Sequence, residues 1–187
     1  MTRFADTARA ACSEIAEAAS GVSDAAADGL VEAMVNARRI VTYGVGREGL
    51  MMRALAMRLY HMGLDVGVQG DMTAPAIGKG DLLVVSAGPG HFSTVAALMG
   101  VAKEAGAATA AITAQPAGKV PQAADHVLTI PAQTMANDQD PSAASLLPMG
   151  SLYEGAQYVV FEILVLMLRE RLGATPEAMR ARHTNLE

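Results

Sequence analysis

Apolar residues recur at helical spacing at both ends of the chain. Residues 2–19 and 25–37 are rich in Ala and place an apolar side chain every three or four positions, which predicts two N-terminal helices. Residues 151–172 repeat the pattern with larger side chains that cover more than one stripe of the helix surface. We therefore expect this last helix to be buried against the sheet and also against a second copy of the chain.

Short apolar runs alternate with helical segments in the middle of the chain. Five runs have the length and composition of strands: 39–43, 65–68, 81–86, 109–113 and 126–130. Helices are predicted after three of them: 49–61, 93–105 and a short segment near 119–123. Strands that alternate with helices form parallel sheets covered on both faces. The pattern predicts an α/β fold, a three-layer αβα sandwich around a five-stranded parallel sheet.

The chain length of 187 residues suits a single domain. Its predicted parts are two N-terminal helices (2–37), a sheet core (39–130), a loop (131–150) and a C-terminal helix with a tail (151–187). The loop is polar and aperiodic, and loops of that length usually bind or cover ligands. Ligands of parallel sheets bind at the carboxyl ends of the strands, which is where the glycine-rich segments 44–49 and 88–90 fall.

Composition and charge narrow the class of ligand. The net charge is −5, and the sequence has neither a run of Lys and Arg nor a basic stripe with aromatic residues. This argues against nucleic acid and acidic membranes as partners. The longest apolar segment, 158–168, contains Glu162 and is shorter than the ~20 residues of a membrane crossing. With one cysteine, Cys12, and acidic residues within 1–20, the sequence predicts a cytoplasmic protein that binds a small molecule.

The first glycine segment, Gly44–Gly49, has the spacing GxGxxG after a strand and before a helix. In dinucleotide-binding proteins an acidic residue follows about 20 residues later, at the end of the second strand. Residues 65–70 have no acid at that strand's far end, which argues against a dehydrogenase. Two interpretations remain open: a tight turn, or a set of backbone N–H groups that holds an anion or a hydroxyl.

Glu154 has two competing interpretations. Ser151 and Glu154 match a capping box, in which the two side chains satisfy backbone N–H groups at the start of a helix. Periodicity alone favours that structural role. A carboxylate at a helix start after a long loop is also suited to act as a general base.

The four histidines show no pattern typical of a metal site. His61 ends a predicted helix, where a cationic ring interacts favourably with the helix dipole, and His183 lies in a tail that we expect to be solvated. His126 begins a strand and is interpreted as a surface residue, whereas His91 lies in the second glycine segment. Without ligand spacings such as HxxxH or CxxC, we predict no metal.

Four segments, in this order, resemble the sugar isomerase (SIS) domain family, and within it the 6-phospho-3-hexuloisomerases. Gly44–Gly49, followed by Ala56–Gly63, is similar to GxGRSG followed by AMRLxHLG. Asp71–Ile77 is similar to ETTTPAI, and Pro148–Glu154 to PMGSLFE. The end of the chain, Met179–Glu187, looks like MxxRHANLE. The resemblance runs over almost the whole chain.

The resemblance implies a flavodoxin-like sheet, a homotetramer with shared active sites, and isomerisation of 3-hexulose 6-phosphate to fructose 6-phosphate without a cofactor. Such a reaction passes through an enediol and needs a base and a proton relay. Matching positions assign the base to Glu154 and the relay to His61 and His183. The residues expected to bind the sugar or sugar phosphate are Gly46, Arg47, Glu48, Asp71, Gly88, Gly90, His91, Ser93 and Thr94.

Both glycine segments depart from the family pattern. The family has Ser at the position of Glu48, and SGSGET where this chain has Ala87–Phe92, so that Pro89 and Phe92 replace Ser and Thr. These changes remove hydroxyl groups and one backbone N–H from the region that the resemblance assigns to phosphate. The sequence therefore leaves phosphate recognition open. The alternatives are an isomerase of an unphosphorylated or differently substituted ketose, and a non-catalytic sugar-binding protein of the same family.

Overall fold

The computed structural model describes residues 3–139 and 145–186. Its helices are α1 (Phe4–Ser20), α2 (Asp24–Asn36), α3 (Gly46–His61), α4 (Ser93–Glu104), α5 (Lys119–Ala123), α6 (Ser151–Leu172) and α7 (Pro176–Ala181). Its strands are β1 (Ile40–Tyr43), β2 (Val66–Val68), β3 (Leu82–Ser86), β4 (Ala108–Thr113) and β5 (His126–Thr129). The predicted elements are confirmed, with ends that shift by a few residues.

The five strands form one parallel sheet in the order β2-β1-β3-β4-β5. The chain starts in the middle at β1, moves to the edge strand β2, then crosses back to β3 and continues outwards. The direction of winding changes between β1 and β3. In open parallel sheets this change of direction opens a crevice at the carboxyl ends of the two strands.

Both faces of the sheet are covered, which confirms the three-layer architecture. In β3, Leu82 and Val84 pack with residues of α2, α3 and α6, whereas Leu83 and Val85 pack with residues of α4 and α5. All five residues of β3 are buried. A strand that is buried on both faces reads as a continuous apolar run, and this explains why β3 could be found from its sequence.

Helix α6 supplies a large part of the core on one side. Tyr153, Leu164 and Leu168 are fully buried, whereas Tyr158 and Leu166 on the same helix are about half exposed. In the part of the chain that the structure describes, α6 is the one helix long and apolar enough to cross a membrane, and half of its most apolar window is buried inside the fold. The helix therefore belongs to the core and also presents an apolar outer face.

One predicted boundary is corrected, and one helix was not predicted. Helix α3 begins at Gly46, three residues earlier than expected. The unpredicted helix is α7, in which the Thr175 hydroxyl accepts a hydrogen bond from Ala178 N (3.2 Å) and Pro176 takes the first turn. Residues 180–186, within the tail predicted to be solvated, are exposed. Residues 131–139 and 145–150 of the predicted loop form neither helix nor strand, and residues 1, 2, 140–144 and 187 lie outside the described residues.

Candidate active site

The two glycine segments lie side by side because β1 and β3 are paired neighbours. Tyr43, the last residue of β1, is in register with Val85 near the end of β3. The first segment leads directly into α3, and the second leads into α4. The crevice between these two helix starts is therefore the place where a ligand of this sheet would bind.

The glycines of the first segment are needed for close packing between strand and helix. A Cβ on Gly49 would lie 2.5 Å from the carbonyl oxygen of Gly44, and Gly46 has a φ of +58° with open space around it. A side chain at position 49 would collide with backbone, whereas one at position 46 would be strained by its φ alone. The turn interpretation of GxGxxG is thus correct for Gly44 and Gly49.

A cavity of about 510 Å³ opens beside this turn, a volume typical of small-molecule sites. Its walls come from the start of α3, the second glycine segment, the long loop and the start of α6. The lining residues are Val45, Gly46, Arg47, Glu48, Pro89, Phe92, Thr134, Met135, Pro148, Met149, Gly150, Ser151, Tyr153 and Glu154. Of the residues predicted to form the site, this cavity brings together Gly46, Arg47, Glu48 and Glu154.

Glu154 projects from the first turn of α6 and accepts a short hydrogen bond from Arg47 Nε. The Glu154 side chain is 14% exposed and that of Arg47 is 68% exposed. The cap of α6 is Gly150, and no side chain bonds the cap N–H groups. The capping-box prediction for Ser151 and Glu154 is therefore wrong, because the carboxylate is engaged by a guanidinium from a helix 107 residues away in sequence.

Glu48 is buried at the back of the cavity, with 7% of its surface exposed. Its Oε2 accepts hydrogen bonds from Ser86 Oγ (2.5 Å) and from the backbone N–H of Gly88 (2.9 Å). Burial raises the pKa of Glu48, the charge of Glu154 acts in the same direction, and the two hydrogen bonds oppose the shift. Hydrogen bonds from β3 and from the second glycine segment therefore fix the position of the Glu48 carboxyl group.

A layer of polar side chains below Glu48 was not predicted from the sequence. Gln157 Nε2 donates to Ser86 Oγ (2.9 Å), and Tyr153 Oη lies 3.2 Å from the same hydroxyl. Burial raises the pKa of Tyr153 well above its ordinary value, so the phenol stays protonated. The sequence does carry a signal for this layer: Ser86 ends an otherwise apolar strand, and Gln157 interrupts the apolar face of α6.

The other predicted substrate-binding residues are distributed differently. Gly88 contacts the site only indirectly, because its N–H donates a hydrogen bond to Glu48, which lines the cavity. Gly90 packs against Gly118 instead. Asp71 forms an ion pair with Arg53 (2.8 Å) and lines a separate depression beside β2. His91, Ser93 and Thr94 are exposed and are not among the residues that line the cavity. Binding roles for these residues stay predictions.

His61 and His183 lie together at the opposite end of α3. Their rings stack with centroids 5.2 Å apart, and Arg182 donates to the carbonyl oxygen of His61 (3.0 Å). Fourteen residues of helix separate His61 from Arg47, which corresponds to about 20 Å at 1.5 Å per residue. One copy of the chain therefore does not place these histidines beside its own Glu154.

Within residues 3–139 and 145–186, no group of three His, Cys, Asp or Glu side chains is arranged to hold a metal ion. The polar side chains that line the cavity are two carboxyl groups, one guanidinium and the hydroxyl groups of Thr134, Ser151 and Tyr153, and the hydroxyl group of Ser86 lies behind Glu48. Such a set can move protons and stabilise a negatively charged oxygen.

A parallel αβα sandwich with a polar cavity at its switch point places the protein in the α/β class, and comparison with known proteins identifies its family. The SIS domain model matches residues 33–156, and the chain belongs to this family. It is 39% identical over 174 residues to the 3-hexulose-6-phosphate isomerase of Mycobacterium gastri, covering 93% of this chain and 86% of that protein. It is 31% identical to the enzyme of that name from Bacillus subtilis, covering 93% of this chain and 94% of that protein.

A solved structure from Methanococcus jannaschii, from which a function as 3-hexulose-6-phosphate isomerase has been inferred, has the same architecture. It superimposes with a TM-score of 0.83 at 25% identity, covering 97% of this chain and 99% of that one. The fold expected from the family resemblance, including the five-stranded parallel sheet, is thereby confirmed.

Proposed function

We propose that this protein is a sugar isomerase that moves the carbonyl group between carbons 2 and 3 of a ketohexose, as the names of its relatives indicate for those enzymes. The observation that carries the proposal is Glu154, a carboxylate in the wall of the cavity with a guanidinium against it. An intramolecular hydrogen transfer of this kind needs a base and a stabilised oxyanion, and it needs no oxidant.

The reaction assigned to the site moves one proton between two carbons and one between two oxygens. Glu154 removes the proton from carbon 2 of the 3-ketose, the electron pair of that bond forms the C2–C3 double bond, and the carbonyl electrons move to the oxygen on carbon 3, which becomes the enediolate oxygen. The proton of the hydroxyl group on carbon 2 then passes to the oxygen on carbon 3, the oxygen on carbon 2 becomes the new carbonyl, and carbon 3 takes up the proton held by Glu154. Arg47 lies against Glu154 in the wall of the cavity, and its positive charge can stabilise the enediolate oxygen.

We further propose a homotetramer in which copies share active sites. Two observations support it: the histidines lie about 20 Å along α3 from their own Arg47, and apolar side chains are exposed on α3 and α6. These include Leu50, Met57, Tyr60, Tyr158 and Leu166. In this arrangement His61 and His183 of one copy relay protons in the site formed by Glu154 of another. A cytoplasmic location belongs to the same proposal, and the burial of half of the most apolar window of α6 argues against a membrane-spanning role for that helix.

The test compares two carboxylates of α6 that each pair with an arginine of α3. Glu154 pairs with Arg47 and Glu162 pairs with Arg58, and both pairs join α6 to α3. We expect Glu154→Gln to lower the rate of 2-ketose and 3-ketose interconversion by about 100-fold or more, which is the scale of general base catalysis, while Glu162→Gln stays near wild type. The rate is followed by carbon-13 NMR with both fructose 6-phosphate and fructose.

Full activity of Glu154→Gln would show that Glu154 is not the base and that its role is structural. Binding of a sugar by the wild type without interconversion would instead favour a non-catalytic sugar-binding protein.

A further inference from the structure

The second glycine segment offers no unoccupied backbone N–H over residues 88–90, all of which the structure describes. Gly88 N–H donates to Glu48 (2.9 Å), Pro89 has no N–H, and Gly90 N–H donates to the carbonyl oxygen of Ala87 (2.8 Å). The nearby Ser86 hydroxyl also donates to Glu48. The Gly88 N–H and the Ser86 hydroxyl, which could otherwise bind an anion at the end of β3, are thus already hydrogen-bonded to the carboxyl group of Glu48.

The charges in the cavity lead to the same conclusion. Arg47 is the one cationic side chain among the described residues that line it, and Arg47 is paired with Glu154. A phosphate dianion in this cavity would therefore meet two carboxyl groups and one guanidinium that is already in use. Much of the remaining wall is apolar, formed by Pro89, Phe92 and the methionines of the long loop.

We propose that Glu48 is a specificity-determining residue that fills the anion-binding position of the second glycine segment, so that the substrate is a ketose whose far end is uncharged. The inference rests on the proposed isomerase function, because only that function makes the bound ketose a substrate. The exclusion of phosphate rests on the contacts of Glu48 and on the charges that line the cavity. Glu48 is held in place from both sides, since α3 carries its backbone and β3 and the second glycine segment hold its carboxyl group.

The experiment is a calorimetric titration of the intact protein with fructose, fructose 6-phosphate and inorganic phosphate. For the wild type we expect fructose 6-phosphate to bind no more tightly than fructose, and inorganic phosphate to give no measurable binding in the millimolar range. Glu48→Ser releases Gly88 N–H and Ser86 Oγ, and its affinity for both phosphate compounds should rise about 10-fold or more, the effect of one hydrogen bond to a charged group.

Glu104→Ser is the matched control, because it removes one carboxylate from the exposed end of α4. It should leave all three affinities unchanged. Glu48→Gln keeps the acceptor oxygen in place and removes the charge, so its gain in phosphate affinity should be smaller than that of Glu48→Ser. Equal gains in the two variants would show that charge alone matters and would overturn the occupied-position argument.

Tighter binding of fructose 6-phosphate than of fructose by the wild type would overturn the proposal, even if Glu48→Ser failed to fold. These are binding measurements and need no turnover. If no sugar is isomerised while Glu48→Ser still gains phosphate affinity, the proposed function fails and the role of Glu48 stands. If isomerisation requires the phosphate ester, the function stands and the role of Glu48 fails.

Discussion

The buried contact between Ser86 and Glu48 gives a quantitative prediction. Ser86 is fully buried, and its hydroxyl is the donor to Glu48 and the acceptor for Gln157. Ser86→Ala removes a hydrogen bond to a carboxyl group and leaves the Gln157 amide with the weak acceptor Met52 Sδ at 3.9 Å. With about 1.5–3 kcal/mol for a bond to a charged group and about 1–3 kcal/mol for an unsatisfied buried donor, we expect a loss of about 2.5–6 kcal/mol of unfolding free energy.

A double-mutant cycle separates this contact from the other effects of each substitution. Glu48→Ala removes the same bond from the other side, so the double variant should lose less than the sum of the single losses. The expected coupling is about 1.5–3 kcal/mol. Urea unfolding followed by circular dichroism measures it, at one protein concentration because the stability of an oligomer depends on concentration.

The control cycle pairs Glu48→Ala with Thr109→Ala. Thr109 is also a buried strand hydroxyl that donates to a carboxylate, Asp125 (2.7 Å), but it lies near the start of β4, at the other end of the sheet. This pair should be additive within about 0.5 kcal/mol. Additivity of the Ser86 and Glu48 substitutions would refute the buried carboxyl network on which the role of Glu48 depends.

Three further predictions concern pH, backbone and assembly. Burial raises the pKa of Glu48, so the folded state holds the proton of this carboxyl group more tightly than the unfolded chain does. The wild type should therefore lose stability relative to Glu48→Gln as pH rises above about 4.5. Parallel curves of the unfolding free energy between about pH 4 and pH 8 would contradict this. In Gly49→Ala the new Cβ collides with backbone, and we expect the free energy of unfolding to fall by about 2–3 kcal/mol. Gly46→Ala is strained only by its φ and should lose about 1 kcal/mol. Urea unfolding measures both losses, and the reverse order would be inconsistent with the turn. If sites are shared, exchange of subunits between inactive Glu154→Gln and His61→Gln proteins should restore part of the activity, whereas no recovery would contradict the sharing of sites between copies.

Most of the fold follows from local patterns. The strands β1, β3 and β4 are largely buried and consist mostly of apolar residues and threonine, and α6 has the predicted bounds. Helix α7 could have been found as well, since Thr175 followed by Pro176 is a typical helix start. Its apolar spacing gives no signal, because a helix of 6 residues is too short to show a periodic pattern.

The site is less predictable because its contacts join distant parts of the chain. Ser151 and Glu154 satisfy the local pattern of a capping box, yet Glu154 bonds Arg47, since an ion pair between helices competes successfully with a local cap. The direction of Glu48 has a similar cause. Its position in the first turn of α3 is visible in the sequence, but its partners Ser86 and Gly88 belong to another strand and loop.

The location of the histidines shows a second feature of the site that the sequence alone does not predict. Sequence resemblance assigns His61 and His183 to the same reaction as Glu154, whereas the fold stacks the two rings on each other at the far end of α3. A sequence pattern does not state how many copies of the chain contribute to one site. The distance along a helix supplies that information.

The central claim, that Glu154 transfers a proton between adjacent sugar carbons, is tested most directly by isotope exchange. The protein is incubated in heavy water with fructose and, separately, with fructose 6-phosphate, and deuterium at carbon 3 is followed by proton NMR. We expect exchange at carbon 3 with the wild type and with Glu162→Gln, and its loss with Glu154→Gln. Undiminished exchange in the Glu154→Gln protein, or none in the wild type with either sugar, would contradict the assignment.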